Sequence, residues 1–104
     1  DPQLSRALAA LHRDPGRAWT VADLAREAGL SRTGFALRFA SDMNMTPMAY
    51  LTQWRMQLAR HALRHGREPV ADVAERVGYG SEAAFVRVFR KEAGLTPAAF
   101  RRAA

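Results

Sequence analysis

Two sets of side chains, fifty positions apart, have the types and spacing to recognise a polyanion by hydrogen bonds and close contact. Arg32, Thr33, Ala36, Leu37 and Ala40 follow Ser31, and Glu82, Ala83, Val86, Arg87 and Arg90 follow Ser81. On a helix each set lies along one face, because residues three and four apart are neighbours there. An arginine on such a face can donate two parallel hydrogen bonds to guanine, a glutamate can accept from cytosine, and alanine or valine can lie against a thymine methyl group. Small residues among them let a helix sit deep in a groove. Arg87 is the leading candidate for a guanine contact. Glu82 is equally well explained as a first-turn acid favoured by the helix dipole.

A second set of residues suits phosphate. Helix starts expected at Ser31, Thr46, Ser81 and Thr96 would offer free backbone N–H groups. Arg38, Arg90, Lys91, Arg101 and Arg102 would supply charge, although Arg38 could instead pair with Asp42. The net charge of +6 agrees with a polyanionic partner, nucleic acid before a membrane surface. The bias is uneven. Up to Tyr50 six arginines face five acids, whereas from Leu51 onward nine arginines and Lys91 face five.

Other chemistries find little support. The chain has no cysteine, so disulfides, thiol catalysis and cysteine metal sites are excluded. His61 and His65 have a metal-compatible spacing but no third ligand, and no glutamate adjoins His61. No phosphate-cradling glycine loop and no Ser-His-Asp arrangement is present. No enzyme activity, cofactor or metal is therefore expected. The apolar runs are far shorter than a membrane span and no signal peptide opens the chain, so no membrane partner is expected and a cytoplasmic, nucleoid-associated location is.

The elements that must hold these residues are helices. Val21-Ala22-Asp23-Leu24-Ala25 recurs as Val70-Ala71-Asp72-Val73-Ala74, and Gly29 recurs as Gly78, all 49 positions on. After one inserted residue, Ser31, Phe35, Phe39, Thr46-Pro47 and Tyr50 map to Ser81, Phe85, Phe89, Thr96-Pro97 and Phe100. This is a duplicated structural unit. Asp1-Pro2 opens a helix carrying Leu4, Ala7, Leu8 and Leu11, ending near His12. Thr20 to Asp23 reads as a capping box for a short helix with Val21, Leu24, Ala25 and Ala28 inward. Gly29 ends that helix, and Ser31 caps the next one, whose Phe35 and Phe39 face inward. Helix, short turn, helix is a helix-turn-helix.

A long helix then runs from Met48 to about Arg64, with Leu51, Trp54, Leu58 and Ala62 on one face and Gly66 as its stop. Glu68-Pro69 starts the second copy, with Val70, Val73, Ala74 and Val77 inward, a Gly78-Tyr79-Gly80 turn, Ser81 as cap, and Phe85 and Phe89 inward. Gly94 stops that helix, and Thr96-Pro97 begins a final turn or two with Phe100. The expectation is an all-α fold of seven helices. A first helix-turn-helix subdomain spans residues 1–45, a linking helix 46–66, and a second helix-turn-helix subdomain 67–104. A joining helix of this size is about 27 Å long at 1.5 Å per residue, near the ~34 Å between major-groove faces of B-DNA. Two second helices could thus enter successive major grooves, with some bending of the duplex.

The sequence resembles the DNA-binding domain of the AraC/XylS family of bacterial transcription regulators. The resemblance rests on Leu24-Ala25, Gly29-Leu30-Ser31, Phe35 and Phe39, then Thr46-Pro47-Met48-Ala49-Tyr50-Leu51, Arg55-Met56 and Ala59. It rests more strongly on Val73-Ala74, Gly78-Tyr79-Gly80-Ser81, Phe85, Arg87, Phe89-Arg90-Lys91, Gly94-Leu95-Thr96-Pro97 and Phe100-Arg101. It covers essentially the whole chain. It implies that the third and sixth helices, Ser31 to about Ala40 and Ser81 to about Lys91, read successive major grooves of a promoter site. It also implies that this chain is the C-terminal part of a longer regulator, with RNA polymerase as a further partner. The isolated domain is expected to be monomeric, dimerisation being open to the full-length protein. One departure stands out. Leu37 occupies a position that is commonly arginine in the family, as Arg87 is in the second unit. The first unit is expected to read by shape and methyl contacts, or to use Arg32 and Arg38 for affinity. The alternative to DNA binding is a protein-interaction module that uses exposed Leu37 and the joining helix to contact polymerase or a partner subunit.

Overall fold

Prolines, hydroxyl caps and left-handed residues divide the chain into seven α-helices. The computed structural model describes residues 1–104 and contains no strand. The helices are α1 Pro2–Arg13, α2 Val21–Ala28, α3 Arg32–Met43, α4 Pro47–His65, α5 Val70–Arg76, α6 Glu82–Ala93 and α7 Pro97–Ala103. No helix is long and apolar enough to cross a membrane.

The boundaries follow from local chemistry. Thr20 Oγ1 accepts from the Asp23 N–H at 3.1 Å, and the Asp23 carboxylate accepts from the Thr20 N–H at 3.0 Å, closing the capping box of α2. Ser31 and Ser81 accept from the N–H groups of Gly34 and Ala84, each at 3.1 Å. Thr46 and Thr96 do the same for Ala49 and Ala99. Each such cap stabilises its helix by about 1 kcal/mol. Gly29 and Gly94 end α2 and α6 in the left-handed region. Asn44, at φ 57°, ends α3 at the place equivalent to Gly94; asparagine is the residue after glycine that best tolerates this conformation. Helix α5 lacks a hydroxyl cap, since Pro69 stands where Thr20 does in the first copy. An ion pair between Glu68 and Arg76 bridges its two ends instead.

The chain forms two compact units, Asp1–Gln53 and Trp54–Ala104, dividing inside α4. In the first, Leu4, Ala7, Ala10 and Leu11 of α1 are buried, with Trp19, Leu24, Ala25, Ala28, Phe35, Phe39 and Leu51. The rings of Phe35 and Phe39 lie 5.7 Å apart, and Phe39 meets Tyr50 edge-on. Tyr50 in turn hydrogen-bonds His12 at 2.8 Å. In the second, Met56, Ala59, Ala62 and Leu63 of α4 form a core with Val73, Ala74, Val77, Phe85 and Phe89. Phe85 stacks obliquely on Tyr79 and Phe89, and Phe89 meets Phe100 edge-on. No charged or polar residue is buried in either unit.

Helix α4 departs from the expected single stripe. Leu51 is buried in the first unit and Met56, Ala59, Ala62 and Leu63 in the second, whereas Trp54 and Leu58 are only half-buried. The helix contributes to two cores, so its buried positions need not continue one face.

The duplication also reaches further back than its obvious start. Arg6, Ala7 and Ala10 of α1 correspond to Arg55, Met56 and Ala59 of α4 at the same offset of 49. The pair of arginines plays a matching role in each copy. Arg6 Nη2 donates to the Ala28 carbonyl at 3.1 Å, beside Gly29. The Arg55 guanidinium lies 5.6 Å from the centre of the Tyr79 ring and against Gly78. Burial pushes Arg55 below the ordinary guanidinium value, partly countered by Tyr79, and burial pushes the Tyr79 phenol up. Each copy thus places an arginine over the glycine turn that precedes its second helix-turn-helix helix.

Candidate nucleic-acid interface

Helices α3 and α6 bury one side and leave the other open. Phe35 and Phe39 fix the rotation of α3, and Phe85 and Phe89 that of α6; all four are at most 2% exposed. With those faces inward, Arg32, Thr33, Leu37 and Ala40 are exposed on α3 and Ala36 is half-buried. On α6, Glu82, Ala83, Arg87, Arg90 and Lys91 are exposed and Val86 is half-buried. Glu82, Ala83, Val86, Arg87, Arg90 and Lys91 line one open depression. Val21, Arg32, Thr33, Ala36 and Leu37 line another. Each unit therefore gathers its expected base-reading candidates on a single surface.

The charges on α6 are available for a ligand. Arg87, Arg90 and Lys91 pair with no carboxylate of the chain, and neither does Arg32 on α3. The caps Ser31, Thr46 and Ser81 are exposed and Thr96 is half-buried. Their hydroxyls are engaged with the third N–H of each helix, so an anion there would meet backbone N–H groups rather than the side chain. Pro47 and Pro97 remove one of those donors from α4 and α7.

Three placements differ from expectation. Arg38 turns away from Asp42 to Asp1, with Nη1 3.3 Å from Oδ2, and also hydrogen-bonds Gln3. Its charge serves the junction of α3 with the start of α1. Arg101 is half-buried; its Nε donates to the Leu63 carbonyl at 3.2 Å and its Nη2 is enclosed without a protein partner. Carbonyls in the last turn of a helix have no partner within it, and Arg101 meets one of those of α4. It is thus an internal fastener of the second unit, leaving Arg102 as the exposed cation of α7. Val21, expected inward, is half-buried and flanks Leu37 in the α3 depression.

The residues that sequence reasoning missed are Arg6 and Arg55, which brace the turns ahead of α3 and α6. Their shared offset was the available signal. His61 and His65 are exposed with ring centres 4.7 Å apart. No group of three or more histidines and carboxylates is close enough to hold a metal ion.

A helix buried on its aromatic side and open on a small, basic side, held by a glycine turn to the helix before it, defines a helix-turn-helix protein, here with the motif in duplicate. The comparisons agree. Residues 24–103 match the helix-turn-helix domain family. A Streptomyces lividans protein described as an AraC-like transcription regulator is 46% identical over 102 residues, 98% of this chain and 34% of that protein. The HTH-type transcriptional regulator AlkR of Acinetobacter baylyi is 41% identical over 96% of this chain and 33% of its own length. Among solved structures, the DNA-binding domain of the global transcriptional factor AdpA, in complex with a target DNA, superposes with a TM-score of 0.92. It is 33% identical and is matched over 99% of this chain and 92% of that one. The C-terminal domain of AraT, a response regulator from Geobacillus stearothermophilus, gives a TM-score of 0.95 at 25% identity, over 100% of this chain and 87% of that one. The chain belongs to the AraC-type family of helix-turn-helix DNA-binding domains, a family of regulators rather than of enzymes. It spans about a third of the length of the curated relatives it matches.

Proposed function

We propose that this chain is the sequence-specific, double-stranded-DNA-binding part of a bacterial transcription regulator, with α3 and α6 as its reading helices. The observation that carries the reading is the outer face of α6. Three unpaired cations and two small apolar residues share it with Glu82, on a helix whose rotation is locked by two fully buried phenylalanines. Arg87 sits mid-helix on that face, suited to a bidentate guanine contact, and Val86 beside it suits a thymine methyl group. Arg90 and Lys91, one turn on, suit the flanking phosphates, together with the N-terminal N–H groups of α3 and α6. Arg32 and Thr33 supply the polar contacts of α3.

Because the two reading faces are unlike, one copy of the chain suffices for an asymmetric site with two short motifs, one per unit, in successive major grooves of a promoter. The 104-residue chain acts as a monomer, with dimerisation left open to the full-length regulator. RNA polymerase is the expected second partner, and the nucleoid of the cytoplasm the expected location.

The test is competition binding of the chain to a selected duplex, with Arg87→Ala and Lys91→Ala compared. Loss of the Arg87 guanidinium should cost about tenfold or more in affinity and flatten the preference at one base pair. Loss of Lys91 should weaken all sequences alike and reduce the salt slope by about one. Equal effects of the two substitutions on matched and mismatched duplexes would remove Arg87 from the reading set.

A further inference from the structure

Leu37 is 68% exposed, more than any other large apolar residue of the chain. It stands in the middle of the outer face of α3, at the position equivalent to Arg87 on α6. Its neighbours one turn away are Thr33, Ala40 and Ser41, and Ala36 precedes it; all are small, so the leucine side chain projects beyond the surface around it. Val21 of α2 closes one side of the same depression. The faces are matched position by position but not in chemistry. Arg87, Arg90 and Lys91 on α6 correspond to Leu37, Ala40 and Ser41 on α3. Beyond its first turn, α3 therefore has no cation on this face. Arg38, the one other arginine of α3, is tied to Asp1 and Gln3.

We infer that Leu37 is a specificity residue of the first unit and reads the 5-methyl group of thymine, so that α3 selects an A·T step by apolar contact while α6 selects its site by hydrogen bonds. The inference rests on the DNA-binding reading above and adds to it the chemistry of one half-site. A leucine offers no donor or acceptor to a base edge. In a major groove the one apolar feature it can meet is the thymine methyl. The flanking small residues allow α3 to approach closely enough for that contact, and Arg32 and Thr33 at the first turn hold the helix against the groove. Desolvating both the leucine and the methyl group favours T over C at that position, where a cytosine would present a polar amino group to an apolar side chain.

The experiment removes the methyl group alone. A duplex selected by the 104-residue chain is resynthesised with deoxyuridine in place of each thymine in turn, which keeps base pairing and deletes only the methyl. Binding of the parent chain, Leu37→Ala and Arg87→Ala is then measured for each duplex. At one or two positions of the half-site under α3, loss of the methyl should weaken the parent about three- to fivefold each, the equivalent of one buried methyl-sized group. In Leu37→Ala that sensitivity should vanish at those positions, and in Arg87→Ala it should persist. Specific binding with every deoxyuridine duplex bound like its parent would overturn this inference while leaving the DNA-binding reading intact. So would a selected half-site without A·T pairs, or a Leu37→Ala protein of unchanged DNA affinity, which would turn Leu37 toward a protein partner. Failure to bind any duplex specifically would overturn both.

Discussion

The two glycine turns form an internal comparison for how each unit holds its reading helix. Gly29, at φ 72° and ψ 31°, sits in the left-handed helical basin, and a β-carbon there would lie an ordinary 3.5 Å from Arg6 Nη2. Replacing it by alanine should cost about 1–2 kcal/mol of backbone strain. Gly78 lies outside that basin at φ 104°, and a β-carbon there would stand 2.7 Å from Arg55 Nη2 and 2.8 Å from its Cζ. Alanine at 78 carries comparable strain and also displaces the half-buried guanidinium from Tyr79, a cation–π contact that contributes roughly 1–2 kcal/mol when partly desolvated. Gly78→Ala should therefore destabilise its unit by about 2–4 kcal/mol, clearly more than Gly29→Ala does its own. Urea unfolding followed by tryptophan fluorescence separates the two, because Trp19 belongs to the first unit and Trp54 to the second. Trp54→Phe and Trp19→Phe backgrounds leave one reporter each. At an m-value near 1 kcal/mol/M the midpoints for the two glycine variants should differ by about 1 M or more. In an Arg55→Ala background the cost of Gly78→Ala should fall to that of Gly29→Ala. Equal costs in the parent, or a Gly78 cost unchanged without Arg55, would refute the role given to the arginine.

Phe85→Ala removes a fully buried ring that touches Tyr79 and Phe89, and should destabilise the second unit by about 3–5 kcal/mol in chemical denaturation; an unchanged midpoint would mean that the inward face of α6 is misassigned. Ser81→Ala should cost about 1 kcal/mol through loss of the α6 cap, read as a shifted urea midpoint with unchanged slope. The Asp23 carboxyl is held below its ordinary value by the Thr20 N–H, then by the Thr20 hydroxyl, Arg17 and Arg26. A depressed folded value means that this contribution is complete above the unfolded carboxyl value near 3.8 and is lost as pH falls through the lower folded one. Denaturation midpoints between about pH 5 and pH 2 should thus fall more steeply for the parent than for Asp23→Asn, and parallel curves would contradict the capping-box electrostatics.

Much of the fold was legible because its signals are local. A threonine three residues before an aspartate, a serine before an aromatic pair, or a glycine after a short apolar helix states its structure within a few residues. The aromatic pairs four apart then oriented α3 and α6 and so showed which face of each is open. What could not be read depended on contacts distant in sequence. Asp42 is the natural helical neighbour of Arg38, yet the partner is Asp1, brought near only by packing of the first unit. Arg101 looked like one more tail cation until the end of α4 supplied a carbonyl for it. The stripe on α4 was misjudged because one periodicity cannot show that a helix serves two cores. Arg6 and Arg55 share the offset of 49, but the spacing assigns them no role; that comes from their places over the two glycine turns.

The most direct test of the central claim is selection of bound duplexes from a random library of about 25 base pairs, sequenced after binding at two salt concentrations. The account requires two short enriched motifs about one helical turn apart, with affinity falling steeply as salt rises. Binding without enrichment of any sequence, or enrichment that ignores salt, would contradict it.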